Sequence, residues 1–220
     1  MHAVEESRRA TWESPVPAIA AVVVTMAMQL AIPKHYTIVP RWPLIVLELL
    51  LIIGLLALRA GHSNRHPLLG RSTRVALLAA ITVDNTASAV LLDSDILSGM
   101  VANQPAVLIG SGAAIFVTNV LVFGMWYWEL DRGGPLARAH EGGRYPGFMF
   151  PQMANPELAP PHWAPNFIDY LYVSITNVMA FSPTDTMPLT RWAKAMMTLQ
   201  ALVAVSTLAL VFARAVNVLG

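Results

Sequence analysis

An aspartate at position 84 stands in the middle of an otherwise apolar stretch, with Asn85 beside it and Ser88 one turn further on. Residues four apart share a helix face, so Asp84 and Ser88 point the same way if the stretch is helical. A charged group at membrane depth costs roughly 2.5–3.5 kcal/mol on insertion scales, so it needs a compensating reason. Two chemistries would supply one. Asp84 either binds a proton or cation inside a helical bundle, or it clamps neighbouring helices by hydrogen bonding. Glu48 lies in another apolar stretch, nearer its outer end, and reads as snorkelling or pairing with Arg41, with a binding role as the alternative. Asn119 reads as an interhelical hydrogen-bonding residue.

A second polar group lies near the C-terminus, where Ser182-Pro183-Thr184-Asp185-Thr186 separates two apolar stretches. The Ser182 and Thr184 hydroxyls and the Asp185 carboxylate could ligate a cation. They could equally cap the helix that follows, for which Pro188 suits an early position. Just upstream, Ser174, Thr176 and Asn177 form a polar strip on a short apolar helix and are candidates to line a path. His62 and His66 have the spacing of a metal-binding pair, but Pro67 adjoins them and a solvated loop is the plainer reading. No metal and no cofactor are expected. There is no cysteine, which removes disulfides and thiol chemistry. No HExxH, GxSxG or paired catalytic carboxylates occur, so the chain does not read as an enzyme. It has no basic, aromatic-interleaved patch, and no nucleic acid partner is expected.

The elements that position these residues follow from the solvent. Hydrophobic residues are 55% of the 220 and charged ones 12%, with a mean hydropathy of +0.55. Soluble domains carry about 25% charged residues, so a lipid bilayer is the expected partner. About 20 apolar residues cross the hydrocarbon as a helix. Long spans are predicted at 16–32, 43–58, 73–92, 106–128 and 192–219. The Gly- and Pro-rich segment 131–165 reads as an aqueous connection. Asn166 can cap a short helix over 167–181, which is about 22 Å long; it is either a thin span or a segment that enters and turns back. The domains expected are thus 1–130, 131–165 and 166–220. Small residues at Gly110, Gly112, Ala113 and Ala114 allow close helix approach. Trp126-Tyr127-Trp128 reads as an interfacial anchor, and Glu129 and Asp131 as surface partners of Arg132 or Arg138. Orientation comes from the basic residues. With the N-terminus in the cytoplasm, nine arginines from Arg8 to Arg144 face inward, and only Lys34 and Arg41 face outward in the first four connections.

The stretch from Asp169 to Thr190 resembles the pore helix and filter loop of potassium-channel-family proteins. Tyr172, Ser174 and Thr176 fall at the pore-helix positions of that family, and Asp185, Pro188 and Thr190 at its post-filter positions. The last span, with Arg191 near its start and Ala213-Arg214-Ala215-Val216 near its end, is similar to the inner helix. The family's Gly-Tyr-Gly is replaced by Ser182-Pro183-Thr184. Pro183 fixes φ near −65° and lacks an N–H, so the usual ring of filter carbonyls is not built. The overall layout also resembles an uncharacterised bacterial multi-pass membrane family. Together these imply an all-α polytopic bundle of five long spans plus one short pore-helix-like segment, located in a bacterial inner membrane. The implied function is permeation of ions or small solutes, with Asp84, Asn85, Thr176, Asn177, Ser182, Thr184 and Asp185 as candidate path residues and a homo-oligomer as the candidate assembly. The alternative is a non-transporting scaffold or accessory subunit.

Overall fold

Prolines and polar caps set where the helices begin. Pro105 opens one long helix and Pro151 a short one, at positions where the missing N–H has no helical partner to lose. Asn166 and Asp169 cap a third reciprocally: the Asn166 side-chain oxygen accepts the Ile168 N–H at 2.8 Å, and the Asp169 carboxylate accepts the Asn166 N–H at 2.7 Å. The computed structural model describes residues 14, 16–37, 40–59, 67–99, 105–140, 145–161, 163–179 and 185–219. Its helices are α1 (Val16–Ala31), α2 (Arg41–Arg59), α3 (Pro67–Leu97), α4 (Pro105–Leu130), α5 (Pro135–His140), α6 (Pro151–Ala154), α7 (Phe167–Met179) and α8 (Arg191–Leu219). Two short strands, β1 (Phe148–Met149) and β2 (Met187–Pro188), pair antiparallel, Phe148 opposite Pro188.

The all-α class stands, but the expected five long spans are corrected to three among the described residues. Arg71–Leu97, Ala106–Gly133 and Arg191–Asn217 are long and apolar enough to cross a membrane, with mean hydropathies of 1.8, 2.1 and 2.0. Helix α1 has 16 residues and so rises about 24 Å, short of a hydrocarbon core of about 30 Å. Helix α2 has 19 residues, of which Trp42–Gly54 is the apolar run among the described residues, so it too falls outside the membrane-length set.

Helix α4 is the hub, packed by α1, α3, α7 and α8. Arg74 meets Glu129 and Thr82 meets Trp126, so α3 and α4 are antiparallel. Helix α8 also opposes α4: Trp192 lies on Gly147 beside Asp131, Tyr127 bonds Gln200, and Val211 packs on Gly112. A Cβ at Gly112 would stand 2.8 Å from Val211, so this crossing depends on the missing side chain. Helix α1 runs with α3, since Ala18 and Val22 share a core with Leu77 while Ile32 and Tyr36 share one with Leu92 and Leu108. Helix α2 runs back, its Leu51 near Leu77 and Gly54 beside Arg74.

Helix α7 enters the bundle without crossing it. Tyr170 bonds Asp131 at the end of α4, Leu171 packs on Gly124, and Ser174 bonds the Val120 carbonyl further in. So α7 and α8 run in the same direction from the same end of α4. Between them, β2 is paired with β1 at that same end, and the Leu189 N–H donates to the Gly147 carbonyl at 2.8 Å. The two readings left open for the short helix resolve to the one that turns back. One face of the molecule, the loop face, thus carries the starts of α1, α3, α7 and α8. The opposite face carries the connections after α1 and α3. Among the described residues the α7–α8 hairpin forms no filter-like pore.

Candidate ion site in the bundle interior

Four helices carry buried polar side chains in their middle turns. Helix α1 supplies Thr25 and Gln29, one turn apart on a single face. Helix α2 supplies Glu48, α3 supplies Asp84, Asn85 and Ser88, and α4 supplies Thr118 and Asn119. All are buried, Glu48 and Ser88 with 0% of their surface exposed. None of these side chains pairs off completely. Both Glu48 carboxylate oxygens, Asp84 Oδ1, Asn85 Oδ1, Ser88 Oγ, Gln29 Nε2, Thr25 Oγ1, Thr118 Oγ1 and both Asn119 amide atoms lack a hydrogen-bond partner. Buried polar groups are partnered in roughly nine cases of ten, so this many orphans is an exception that needs a ligand or solvent to explain it.

The carboxylates set the character of this interior. Glu48 has Asp84 as a like-charged neighbour. Asp84 and Gln29 together line a cleft with Met26, Ile32, Thr37, Leu44 and Ile45. Thr37 belongs to the connection after α1, so the cleft reaches toward the face opposite the loops. On the loop-face side of these polar residues lies an apolar core that includes Ala18, Val22, Leu51, Leu77 and Ile81. Beyond them Arg74 makes a two-pronged pair with Glu129, at 3.0 and 2.9 Å, both side chains buried. Among the described residues no three His, Asp or Glu gather as a metal cluster. The unpartnered oxygens are those of two carboxylates, the Thr25, Ser88 and Thr118 hydroxyls and the Asn85 and Asn119 amides, which suit a proton or a hard cation, whereas Gln29 Nε2 and Asn119 Nδ2 are N–H donors that seek an acceptor.

The C-terminal candidates lie elsewhere. Asn177 donates to the Met197 carbonyl at 2.9 Å and to Gln200 Oε1 at 3.0 Å. Gln200 Nε2 donates to Ser174 Oγ at 2.7 Å, and Ser174 Oγ to the Val120 carbonyl at 2.6 Å. This network joins α4, α7 and α8 with its members satisfied, which makes it a clamp. Thr176 donates to the Tyr172 carbonyl of its own helix at 2.9 Å. Asp185 is exposed on the loop face, 3.5 Å from the Thr186 hydroxyl. Ser182, Thr184 and the proposed His62–His66 pair lie outside the described residues. Asp84, Asn177 and Asp185 therefore do not converge on one cavity.

Comparison of the chain with protein-family models, with curated proteins and with solved structures finds no match. Function has to come from geometry.

Two sequence expectations change at this point. Trp126, Tyr127 and Trp128 are buried in the protein and are not an interfacial belt. Tyr127 and Tyr170 pack with Phe148, which also meets Trp192 edge-on. Glu129 and Asp131 are likewise buried and not surface partners. Asp131 Oδ1 accepts the Gly147 N–H, and Oδ2 accepts the Tyr170 hydroxyl, each at 2.5 Å, with Arg132 at 3.2 Å. Burial pushes the Tyr170 phenol above its usual range, with Arg138 over its ring at 5.0 Å opposing that shift. The phenol stays a donor. Sequence reasoning gave no role to Gln29 or Gln200, each an amide within an otherwise apolar run, and that position was the available signal.

Proposed function

We propose that this protein is a multi-pass membrane protein that moves a small cation or a proton through the polar interior between α1, α2, α3 and α4. One observation carries the reading: Glu48 is wholly buried, both its oxygens are unpartnered, and its charged neighbour is another carboxylate. Leaving such a group uncompensated costs on the order of several kcal/mol, a cost that a transported positive charge would offset. We place the loop face in the cytoplasm. Arg71, Arg74, Arg132, Arg138, Arg191 and Lys194 belong to that end of the bundle, whereas Lys34, Arg41 and Arg214 lie at the other, and basic residues concentrate inside.

The test is flux across proteoliposomes under sodium, potassium and proton gradients. Wild type is expected to conduct at least one of these. Glu48→Gln and Asp84→Asn are expected to lower the rate about tenfold or more, since about 1.4 kcal/mol of lost ligation already gives that factor. Asp185→Asn should leave it unchanged. Absence of flux under all three gradients rejects the proposal.

A further inference from the structure

We infer that the cleft beside Asp84 holds one water, bridging Gln29 and Asp84, through which a proton reaches Asp84 from the face that carries Thr37. This deepens the permeation reading by naming the cargo and rests on that reading for its biological sense, but the water site can be measured without transport. Two side chains in the cleft have complementary needs. Asp84 Oδ1 is an acceptor without a donor, and Gln29 Nε2 is a donor without an acceptor. They come from different helices, α3 and α1, have 6% and 7% of their surface exposed, and line the same cleft. The rest of its wall is mostly apolar, with Met26, Leu44 and Ile45. A bare metal cation would meet one carboxylate, an N–H that repels it, and hydrocarbon. A water accepts from Gln29 and donates to Asp84, so one molecule satisfies both.

The space agrees. The cleft has a free volume of about 10 Å³, the room a single water needs, and a buried water takes about two to four polar partners. Thr37 supplies a third at the outer end. Its hydroxyl donates to the Lys34 carbonyl at 2.8 Å, which leaves the oxygen lone pairs to accept. The proton step balances without a co-reactant. A hydronium arriving at the cleft gives one proton to the Asp84 carboxylate, forming its O–H, and stays behind as water. The charged group facing Asp84 is Glu48 of α2, wholly buried, and neutralising Asp84 removes the repulsion between them. Helix α1 carries no titratable side chain and α4 none before Tyr127. Lys34, Asp93, Asp95 and Arg214 lie further toward the Thr37 face.

Radiolytic footprinting reads the water directly. Hydroxyl radicals generated at a held water oxidise the side chain beside it, and Met26 in the cleft wall would convert to the sulfoxide. Wild type in detergent should show that oxidation and Gln29→Leu should lose it, while Met187, exposed on the loop face, is oxidised equally in both. In proteoliposomes free of alkali salts, wild type should pass protons. Gln29→Leu should lower that flux about tenfold, the scale on which one lost hydrogen bond acts, and sodium and potassium should not move. If Gln29→Leu does not melt like wild type, Gln29→Met takes its place. Equal Met26 oxidation in wild type and variant overturns the inference. Sodium or potassium flux without proton flux overturns it too, and leaves cation permeation standing. Loss of Met26 oxidation in the variant, with no flux of any kind, does the reverse: it keeps the water site and rejects permeation.

Discussion

Arg74 and Glu129 show how a charge becomes tolerable in this interior. Each would be prohibitive alone, but the guanidinium meets both carboxylate oxygens, the geometry that strengthens such pairs. Removing one partner strands the other, so Arg74→Ala should cost about 3–5 kcal/mol, seen as a large fall in the thermal midpoint in detergent. The double change Arg74→Met with Glu129→Leu should recover most of that loss, because well-packed apolar replacements for a buried pair are often neutral. Glu48 behaves in the opposite way. It has no partner to strand, so Glu48→Gln should hold or raise the thermal midpoint while lowering flux. A rise in stability with loss of flux is the signature that separates a path residue from a structural clamp. Asp84 was legible from sequence as a charge in an apolar run. Glu48 was visible too, but its position near the end of a stretch favoured snorkelling, and only the packing of α2 against α3 shows that its carboxylate cannot reach water.

At the scale of elements, the C-terminal hairpin hangs on the end of α4. Arg132, Gly133 and Gly134 all have positive φ, at 50°, 89° and 94°. A non-glycine residue pays for that conformation, and here it turns the chain so that Asp131 faces back into the protein. Tyr170→Phe removes one charge-assisted bond to Asp131 and should cost about 1.5–3 kcal/mol. Gly147→Ala should be worse, since a Cβ there would clash with the Trp192 ring; a melt below that of Tyr170→Phe would confirm the order. Single cysteines at Tyr145 and Asp185 should label from the same side, because β1 and β2 tie the two segments together. Labelling from opposite sides would mean that α7 crosses after all. The helices themselves were readable from apolar runs, and the Asn166 cap from its residue type. The hub was not. Gly147, Asp131 and Tyr170 are far apart in the chain, and nothing local in a Gly- and Pro-rich stretch says that it folds onto the bundle. Likewise, an aromatic triplet at a helix end looks the same in sequence whether lipid or protein covers it.

For the molecule as a whole, burial grades outward from α4. Some 56% of its apolar window is inside the protein, against 33% for α8. Leu202, Phe212 and Val216 on α8 and Trp42, Val46 and Ile53 on α2 are exposed, a surface suited to acyl chains and not to water. Diluting detergent below its micelle threshold should therefore aggregate the purified protein, read by light scattering. Reporters at Tyr145 and Asn217 should lie on opposite sides of the membrane, since α8 starts at the loop face and runs away from it. The number of helices long enough to span, three among the described residues, was not legible in the sequence, because apolar composition does not register how far a helix reaches.

The Asp131 hub has a consequence for biogenesis. Its carboxylate lies at the end of α4, yet its partners arrive 16 and 39 residues later in synthesis. A nascent chain that has emerged only through α4 carries a carboxylate whose burial is not yet compensated, so the loop-face end of that helix stays ajar until α7 docks. Ribosome-bound intermediates halted before Tyr170 should be cut by protease near Asp131, and those halted beyond α8 should resist. Completion of the last hairpin then acts as the checkpoint that seals the older part of the protein.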